Sequence, residues 1–201
     1  MKELEIKLQK KENKWKTRYF KENFQGKLKP FIMKSSTHLD FGCGFGFLAY
    51  LLAKDYSKAK IFGIDKNQRS INLANKKYRK SNLKFNCTDK ITGKYDSISA
   101  FFVIHHLKKN SRKYLREFYN HLNTKGRVII FDFRKISKAK YRKWYEKKRE
   151  AGEYKESFEK SYKEHNKWTV KQFSSLMKNV GFKTIKDEPI DEFWFFYVGK
   201  K

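Results

Sequence analysis

Three glycines at alternate positions, Gly42, Gly44 and Gly46, follow Asp40 in the stretch HLDFGCGFGFLAYLLA, residues 38–53. This pattern predicts a strand, a tight glycine turn and the first turn of a helix. Glycine is needed where the backbone has a positive φ or where a ligand touches the main chain. The N-terminus of the following helix offers unpaired N–H groups and a partial positive charge. The stretch therefore predicts a ligand site at the turn.

Two common phosphate-binding motifs do not fit this turn. The dinucleotide motif G-x-G-x-x-G/A would place its last small residue at position 47, which is Phe47. The P-loop requires a terminal Gly-Lys-Ser/Thr, which is absent here. The remaining pattern, Asp-x-Gly-Cys-Gly-x-Gly, starts at Asp40 and includes Cys43. It resembles motif I of the class I S-adenosylmethionine-dependent methyltransferases.

Two further acids stand at the ends of predicted strands. The segment KIFGID, residues 60–65, predicts a buried strand, and a carboxylate at its end can accept both ribose hydroxyls of an adenosine-bearing cofactor. The resemblance identifies Asp65 as the motif II acid. It identifies Asp89 as the motif III acid that binds the exocyclic amine of adenine, with a turn aspartate as the alternative. Lys66 stands where the family usually has an apolar residue that packs on adenine.

The resemblance implies that S-adenosyl-L-methionine is the cofactor. Asp40 is expected to help hold its methionine amine, and the three glycines are expected to approach its methionine and ribose portions. The candidate cofactor-binding residues are Asp40, Gly42, Cys43, Gly44, Gly46, Asp65, Lys66, Asp89 and Phe101.

The segment YDSISAFFVIHHL, residues 95–107, resembles motif IV of the small-molecule branch related to quinone-biosynthesis methyltransferases. Asp96 begins this strand, far from the carboxyl end where ligands bind, and we interpret it as structural. His105 and His106 fall at the carboxyl end. Because adjacent residues of an extended segment point in opposite directions, at most one should face the acceptor. His105 is the candidate general base if the acceptor must lose a proton.

The net charge of +28 suggests an anionic partner. Only nine of the 49 basic residues are Arg, the residue favoured for bidentate phosphate and base recognition. The charge therefore leaves three interpretations open, namely a solvated cationic surface, RNA binding, and peripheral contact with an anionic membrane. The hydrophobic fraction of 39% and the aromatic fraction of 17% indicate a globular protein.

The two cysteines, Cys43 and Cys87, form no CxxC pair. The sequence therefore predicts neither a metal site nor a disulfide framework, as expected for a reducing cytoplasm. The first 16 residues, MKELEIKLQKKENKWK, lack an apolar signal region, and no apolar run of about 18 residues occurs. We expect no signal peptide, no spanning helix and a cytoplasmic location.

One domain is expected over residues 1–201, in four segments. These are an N-terminal helical cap (1–33), a cofactor-binding core (34–135), a helical insertion or substrate lid (136–167), and a C-terminal helix and hairpin (168–201). In the cap, Arg18 and Tyr19 are candidates to cover the pocket. In the insertion, two Lys/Glu-rich helices are predicted on either side of Gly152.

The resemblance implies a Rossmann-like α/β fold with helices on both faces of a sheet. The expected sheet has seven mostly parallel strands in the order 3-2-1-4-5-7-6, with strand 7 antiparallel. Locally, the pattern predicts a helix over 68–80 with Leu73 facing inward, and a fifth strand over 127–133 after a helix cap at Gly126. Asp132, near the end of that strand, is either structural or faces the acceptor. Thr169 and Gln172 form a capping box for the last helix.

The function implied by the resemblance is methyl transfer from S-adenosylmethionine, with the protein positioning and desolvating the acceptor. The fourth-strand segment lacks the Asn/Asp-Pro-Pro-Tyr/Phe motif of enzymes that methylate amino groups of adenine in nucleic acid. A catalytic Cys motif for pyrimidine C5 is also missing. A small-molecule or lipid-like acceptor is therefore the first hypothesis. The alternatives are an RNA (tRNA or rRNA) methyltransferase and a non-catalytic regulatory protein that binds S-adenosylmethionine.

Overall fold

The computed structural model describes residues 29–32, 36–152 and 156–201. The predicted N-terminal cap, with Arg18 and Tyr19, lies outside the described residues apart from a short 3₁₀ helix at Lys29–Phe31. No helix in the described ranges has the length and apolar character needed to cross a bilayer.

The described residues form a seven-stranded sheet in the order β3-β2-β1-β4-β5-β7-β6. Neighbouring strands from β3 to β5 are parallel, whereas β7 runs antiparallel to both β5 and β6. This order confirms the predicted fold class. The strands are β1 Thr37–Phe41, β2 Lys60–Asp65, β3 Leu83–Cys87, β4 Tyr95–Phe101, β5 Leu122–Phe133, β6 Lys183–Pro189 and β7 Trp194–Lys200.

Helices connect the strands in the described part of the chain. They are α1 Phe47–Asp55, α2 Gln68–Lys77, α3 Ser111–His121, α4 Lys138–Glu150, α5 Phe158–His165 and α6 Val170–Val180, together with a 3₁₀ helix at Ile104–Asn110. The helical insertion thus consists of α4 and α5, on either side of Gly152 as predicted. The capping box of Thr169 and Gln172 is confirmed at the start of α6.

Two apolar layers cover the sheet because alternate side chains of its central strands point to opposite faces. On β5, Ile129 and Phe131 pack in the layer that contains α1 and α2. Val128 and Ile130 pack in the layer that contains α3 and α6. All four side chains are completely buried. These two layers hold the strands in register, so that the loops after β1 to β4 emerge together at one edge.

Three local predictions were wrong. Leu73 is exposed, because the buried side of α2 is formed by Ser70, Ile71 and Ala74. The helix ends at Lys77, and the next residue, Tyr78, stacks on the ring of Tyr50.

The third wrong prediction concerns the start of β5, which begins at Leu122 directly after α3. Leu122 pairs with Tyr95, so the strand is longer than the apolar run alone indicates. Lys125, not Gly126, has the positive φ, at 65°. A Cβ on Gly126 would lie 2.8 Å from the carbonyl oxygen of Asn123, so the glycine permits a close backbone approach.

Candidate active site

A cavity of about 620 Å³ lies at the carboxyl ends of β1 to β4. Ligands of open parallel sheets bind at this edge, and the volume falls within the roughly 300–1,000 Å³ typical of small-molecule sites. All of the predicted cofactor-binding residues except Gly46 lie on its wall. Those on the wall are Asp40, Gly42, Cys43, Gly44, Asp65, Lys66, Asp89 and Phe101.

The three glycines of the turn all have positive φ, but their surroundings differ. A Cβ on Gly42 would lie 2.5 Å from Cγ2 of Val103, so this glycine admits a neighbouring side chain. A Cβ on Gly44 would meet no described atom within 4 Å, which leaves open space on the cavity side. A Cβ on Gly46 would lie 2.5 Å from Cζ of Phe85, and Gly46 is buried away from the wall. Gly46 therefore serves the packing of α1 rather than the cavity.

The carboxylate of Asp65 is held by two backbone N–H groups. Gly44 N donates to Oδ2 at 2.9 Å, and Asn67 N donates to Oδ1 at 2.8 Å. Asn67 also caps α2, because its side chain accepts a hydrogen bond from Ser70 N at 3.0 Å. Each carboxylate oxygen can accept more than one hydrogen bond. Asp65 therefore keeps acceptor capacity toward the cavity in a fixed orientation.

Asp40 is almost completely buried, at 2% exposure. Its Oδ1 accepts a hydrogen bond from the Ser99 hydroxyl at 2.9 Å, and its Oδ2 has no partner among the described residues. The pKa of Asp40 is raised to about 7, mainly by burial and in addition by the charge of Asp65, against the lowering effect of Ser99 and the Ala49 backbone. A buried carboxylate oxygen without a partner is costly, so a positively charged donor in the cavity would stabilise it.

Asp89, which the resemblance assigns to the exocyclic amine of adenine, lies on the cavity wall beside Tyr114. The Tyr114 hydroxyl donates to Oδ2 of Asp89 at 3.1 Å, and both residues lie on the cavity wall. Burial and this hydrogen bond raise the pKa of Tyr114, so the phenol remains a donor. Lys66 lies on the same wall, next to Asp65. Sequence reasoning did not identify Tyr114 as a residue of the site.

The two histidines predicted near the acceptor lie in the 3₁₀ helix Ile104–Asn110. The assumption that this segment is extended was wrong, because it is helical and the two ring centroids are 3.9 Å apart. As expected, no more than one of the two rings lines the described cavity. His105 is 4% exposed and does not line the cavity. Its ring faces Asp132, with Nδ1 2.6 Å from Oδ1. His106 is exposed and lines the cavity.

Glu164 holds the ring of His106. Nδ1 of His106 lies 3.1 Å from Oε1 of Glu164, a residue of α5 that also lines the cavity. Burial and the charge of His105 lower the pKa of His106, although Glu164 and Asp132 act in the opposite direction. A neutral imidazole that donates from Nδ1 has its lone pair on Nε2. His106 can therefore accept a proton through Nε2.

The remaining two acids of the sequence analysis are structural. Asp96 accepts hydrogen bonds from Thr37 N at 2.8 Å and from the Asn123 side chain at 2.8 Å. Asp132 is 2% exposed, accepts from the backbone N–H groups of His105 and Phe133, and does not line the cavity. Asp132 therefore acts on the site only through His105.

The charge of the cavity wall is opposite to that of the chain as a whole. Among the described residues, the wall carries four carboxylates, Asp40, Asp65, Asp89 and Glu164, and one basic side chain, Lys66. This acidic site lies in a chain of net charge +28. In the described ranges, no group of three His, Cys, Asp or Glu side chains is arranged to hold a metal ion. The wall is therefore suited to a cationic ligand.

A comparison with protein families decides the identity of this fold. The model of a family described as a methyltransferase domain matches residues 8–187, which is most of the chain. The chain belongs to this methyltransferase family. A search of curated proteins finds no match for this methyltransferase.

Solved methyltransferase structures share its fold. An S-adenosylmethionine-dependent methyltransferase from Aquifex aeolicus is 20% identical, with a TM-score of 0.68 over 90% of this chain and 92% of that chain. The plantazolicin methyltransferase BpumL, solved with S-adenosylhomocysteine (SAH), is 17% identical, with a TM-score of 0.69 over 100% and 90%. A chain of the complex between the Haloferax volcanii Trm112 methyltransferase activator and a methyltransferase is 12% identical, with a TM-score of 0.70 over 92% and 91%. These likenesses confirm the predicted class I fold.

One wall residue of this methyltransferase had no local sequence signal. Glu164 lies 58 positions after His106, in the insertion, among other Lys and Glu residues. Neither spacing nor composition distinguishes it from Glu159, an exposed residue of the same helix that forms an ion pair with Lys138. Only the packing of α5 against the 3₁₀ helix Ile104–Asn110 brings Glu164 to the cavity.

Proposed function

We propose that this methyltransferase binds S-adenosyl-L-methionine in the acidic cavity and methylates a small-molecule or lipid-like acceptor. When bound, the cofactor supplies a methyl group on a positively charged sulfur. The family match and the fold support the reaction class. The acidic wall in a strongly basic chain is the observation that carries the acceptor class.

The residues on the wall fit this cofactor. Oδ2 of Asp40 would accept a hydrogen bond from its amino group, which supplies the cationic donor that this buried oxygen lacks. The open space at Gly44 lets the ligand lie against the backbone. Asp65 would accept the ribose hydroxyls, and Asp89 would accept the exocyclic amine of adenine. A positively charged cofactor also gains from the negative potential of the cavity.

The acidic wall bears on the acceptor as well. A phosphate-rich strand entering the cavity would approach Glu164 and the carboxylates of the cofactor side, at a cost in electrostatic free energy. A neutral or cationic small molecule would meet no such cost. Phe102, Val103 and Leu107 add apolar surface next to His106 on the same wall. This combination favours a compact acceptor with an apolar body and one reactive polar group.

The chain's own contribution to the reaction is to orient the acceptor, exclude water and accept a proton. Positioning two reactants in line accounts for much of the acceleration in such displacements. His106 accepts the acceptor's proton on Nε2, while Glu164 holds Nδ1–H and fixes the ring. We therefore assign to His106 the role of general base that was predicted for His105, because His106 is the one of the two that lines the cavity.

RNA methylation is the second candidate, and a specific surface favours it. Seven of the 13 residues of α4 are Lys or Arg. This helix belongs to the insertion, whose other helix, α5, supplies Glu164 to the cavity. A basic helix near the site could hold an RNA backbone while a single base enters the cavity. Such binding would weaken steeply with added salt.

A methyl-transfer screen with labelled cofactor separates these functions. Purified protein is incubated with separate metabolite, lipid and RNA fractions, and Asp65→Ala protein serves as the inactive control. The proposal expects label in the metabolite or lipid fraction and none in RNA. Label in RNA alone, lost after ribonuclease treatment, would establish the second candidate instead. Cofactor binding without label in any fraction would indicate a non-catalytic protein.

A further inference from the structure

A chain of four buried polar side chains runs between β1 and β4 and ends on Asp40. The Ser99 hydroxyl donates to Oδ1 of Asp40 at 2.9 Å. Nε2 of His38 lies 3.0 Å from Ser99 Oγ, and Nδ1 of His38 lies 2.7 Å from Ser97 Oγ. None of the four is more than 2% exposed. The parallel register, which pairs His38 with Ser97 and Asp40 with Ser99, places them together.

The direction of each hydrogen bond in this chain follows from the number of available protons. A serine hydroxyl has one proton, and that of Ser99 is donated to Asp40. Ser99 must therefore accept from Nε2–H of His38, and Nδ1 of the same ring must accept from the Ser97 hydroxyl. Burial lowers the pKa of His38 to about 3, so the imidazole is neutral and has one donor and one acceptor. Every donor in the chain points toward Asp40.

A chain of donors that points toward a carboxyl group stabilises its ionised form. Two influences at Asp40 favour the neutral form instead, namely burial and the nearby charge of Asp65, and with all effects together the pKa is raised to about 7. Cys43, which also faces this region, remains a neutral thiol because burial raises its pKa. The hydrogen bond to Oδ1 also fixes the rotation of the carboxyl group and leaves Oδ2 for a ligand.

We propose that His38 is a positioning residue for cofactor binding, because through Ser99 it keeps Asp40 ionised and oriented toward the cofactor's amino group. His38 touches neither cofactor nor acceptor. The inference rests on cofactor binding in the cavity and does not depend on the identity of the acceptor. The alternative is that the four side chains only satisfy one another inside the sheet.

Two ligands distinguish a positioning role from simple packing. SAH carries the amino acid portion, whereas 5′-methylthioadenosine retains the adenosine and the thioether but lacks the amino acid portion with its α-amino group. Calorimetric titration at pH 7 compares both ligands on the wild type and four variants. The variants are His38→Leu, His38→Gln, Ser99→Ala and Ser97→Ala.

The proposal predicts a loss specific to SAH. Ser99→Ala removes the charge-assisted hydrogen bond to Asp40, and His38→Leu removes the N–H that polarises and orients the Ser99 hydroxyl. Each change should weaken SAH binding about ten-fold, with 5′-methylthioadenosine binding changed by less than about two-fold. His38→Gln should retain most of the SAH affinity, because its amide N–H can replace Nε2–H. Ser97→Ala should change SAH affinity only slightly, because it removes the hydrogen bond that is farthest from Asp40.

The pH profile supplies a second readout. In the wild type, SAH affinity should rise as pH increases through about 7, since Asp40 must lose its proton to accept the amino group. Losing the Ser99 donor raises the pKa of Asp40 in Ser99→Ala, and in His38→Leu the Ser99 hydroxyl without its His38 partner stabilises the carboxylate less well. The midpoint should therefore move to higher pH in both variants. Affinity for 5′-methylthioadenosine should show no such rise.

Equal losses for both ligands with an unchanged pH midpoint would overturn the proposal and leave a packing role. If His38→Leu does not fold, Ser99→Ala decides the matter, because it removes a single oxygen atom. Asp40→Asn tests the underlying assignment separately. If this variant binds SAH as tightly as the wild type, the role of Asp40 itself is wrong, whatever the result at His38.

Discussion

Nδ1 of His105 lies 2.6 Å from Oδ1 of Asp132, and both side chains are almost completely buried beside the cavity. The backbone N–H of His105 also donates to Oδ2 of Asp132 at 3.1 Å. Burial alone would raise the pKa of Asp132, but the charge of His105 and these hydrogen bonds lower it. The pair ties the first turn of the 3₁₀ helix Ile104–Asn110 to the end of β5. It therefore determines the position of His106, the next residue of this helix, on the cavity wall.

Asp132→Asn should lower the free energy of unfolding at pH 7 by about 3 kcal/mol, because the buried ring and the backbone N–H of His105 lose a charged hydrogen-bond acceptor. The stability from this carboxylate is present above its unfolded pKa, near 4, and is lost as pH falls through the lower folded value. Urea titrations between pH 7 and 2 would measure both effects. Asp96→Asn, at a more exposed carboxylate, should cost less. A loss in Asp132→Asn no larger than in Asp96→Asn would contradict the buried pair.

Gly46→Ala and Gly44→Ala should have different effects. The new methyl group at Gly46 would lie 2.5 Å from Cζ of Phe85 and 3.0 Å from Cβ of Ala74. Overpacking of this kind typically costs about 1–3 kcal/mol, in addition to backbone strain at positive φ. Gly44→Ala should cost only the backbone strain of a positive φ, because its methyl group meets no described atom within 4 Å. The methyl group should weaken SAH binding, because it would occupy open space of the cavity. Thermal melts and calorimetric titration test both, and equal stability losses would contradict the separate roles.

The strand order was predicted through the resemblance to class I methyltransferases, and the motifs that carry this resemblance are local. The run KIFGID predicted β2 with the bounds that the structure has, Lys60–Asp65. The glycine turn after Asp40 and the acid Asp65 each stand at a strand end within one short segment. Parallel strands bring such ends to one edge, so the sequence already placed most of the cavity wall together.

Other site features depend on contacts between distant segments, which spacing does not reveal. Gly46 was expected to contact the cofactor, but Phe85, some 40 positions later in the sequence, occupies the space beside it. His106 faces the cavity, and His105 is buried, because the segment after β4 is a 3₁₀ helix rather than an extended chain. The role proposed for His38 has no signal in the sequence, since it depends on the register between β1 and β4.

Asp65→Ala should abolish measurable SAH binding while the fold survives. The carboxylate is oriented by Gly44 N and Asn67 N toward the cavity, and it is the proposed acceptor of the ribose hydroxyls. Calorimetry measures the affinity, and circular dichroism verifies the fold. Asp187→Ala, which removes an exposed carboxylate on β6, is the matched control and should bind as the wild type does. Unchanged affinity in Asp65→Ala would show that the adenosine lies elsewhere.

Once an acceptor is known, His106→Gln should lower kcat by about 10²-fold, the smaller end of what a general base contributes. SAH affinity should stay within about two-fold, because His106 lies on the acceptor side and makes no proposed cofactor contact. Single-turnover kinetics and calorimetry measure the two quantities. A fall in SAH affinity with kcat unchanged would place His106 at the cofactor instead.

Glu164→Gln should shift the pH profile of kcat. A base must be deprotonated to act, so the rate rises with pH through the pKa of His106, which lies below its ordinary value because of burial and the charge of His105. Glu164 raises that pKa, and therefore its neutralisation should move the acid limb of the profile to still lower pH. The plateau should also fall, because the ring loses its charged partner. Glu159→Gln, an exposed acid on the same helix, is the matched control. Identical profiles for the two variants would show that Glu164 does not act on His106.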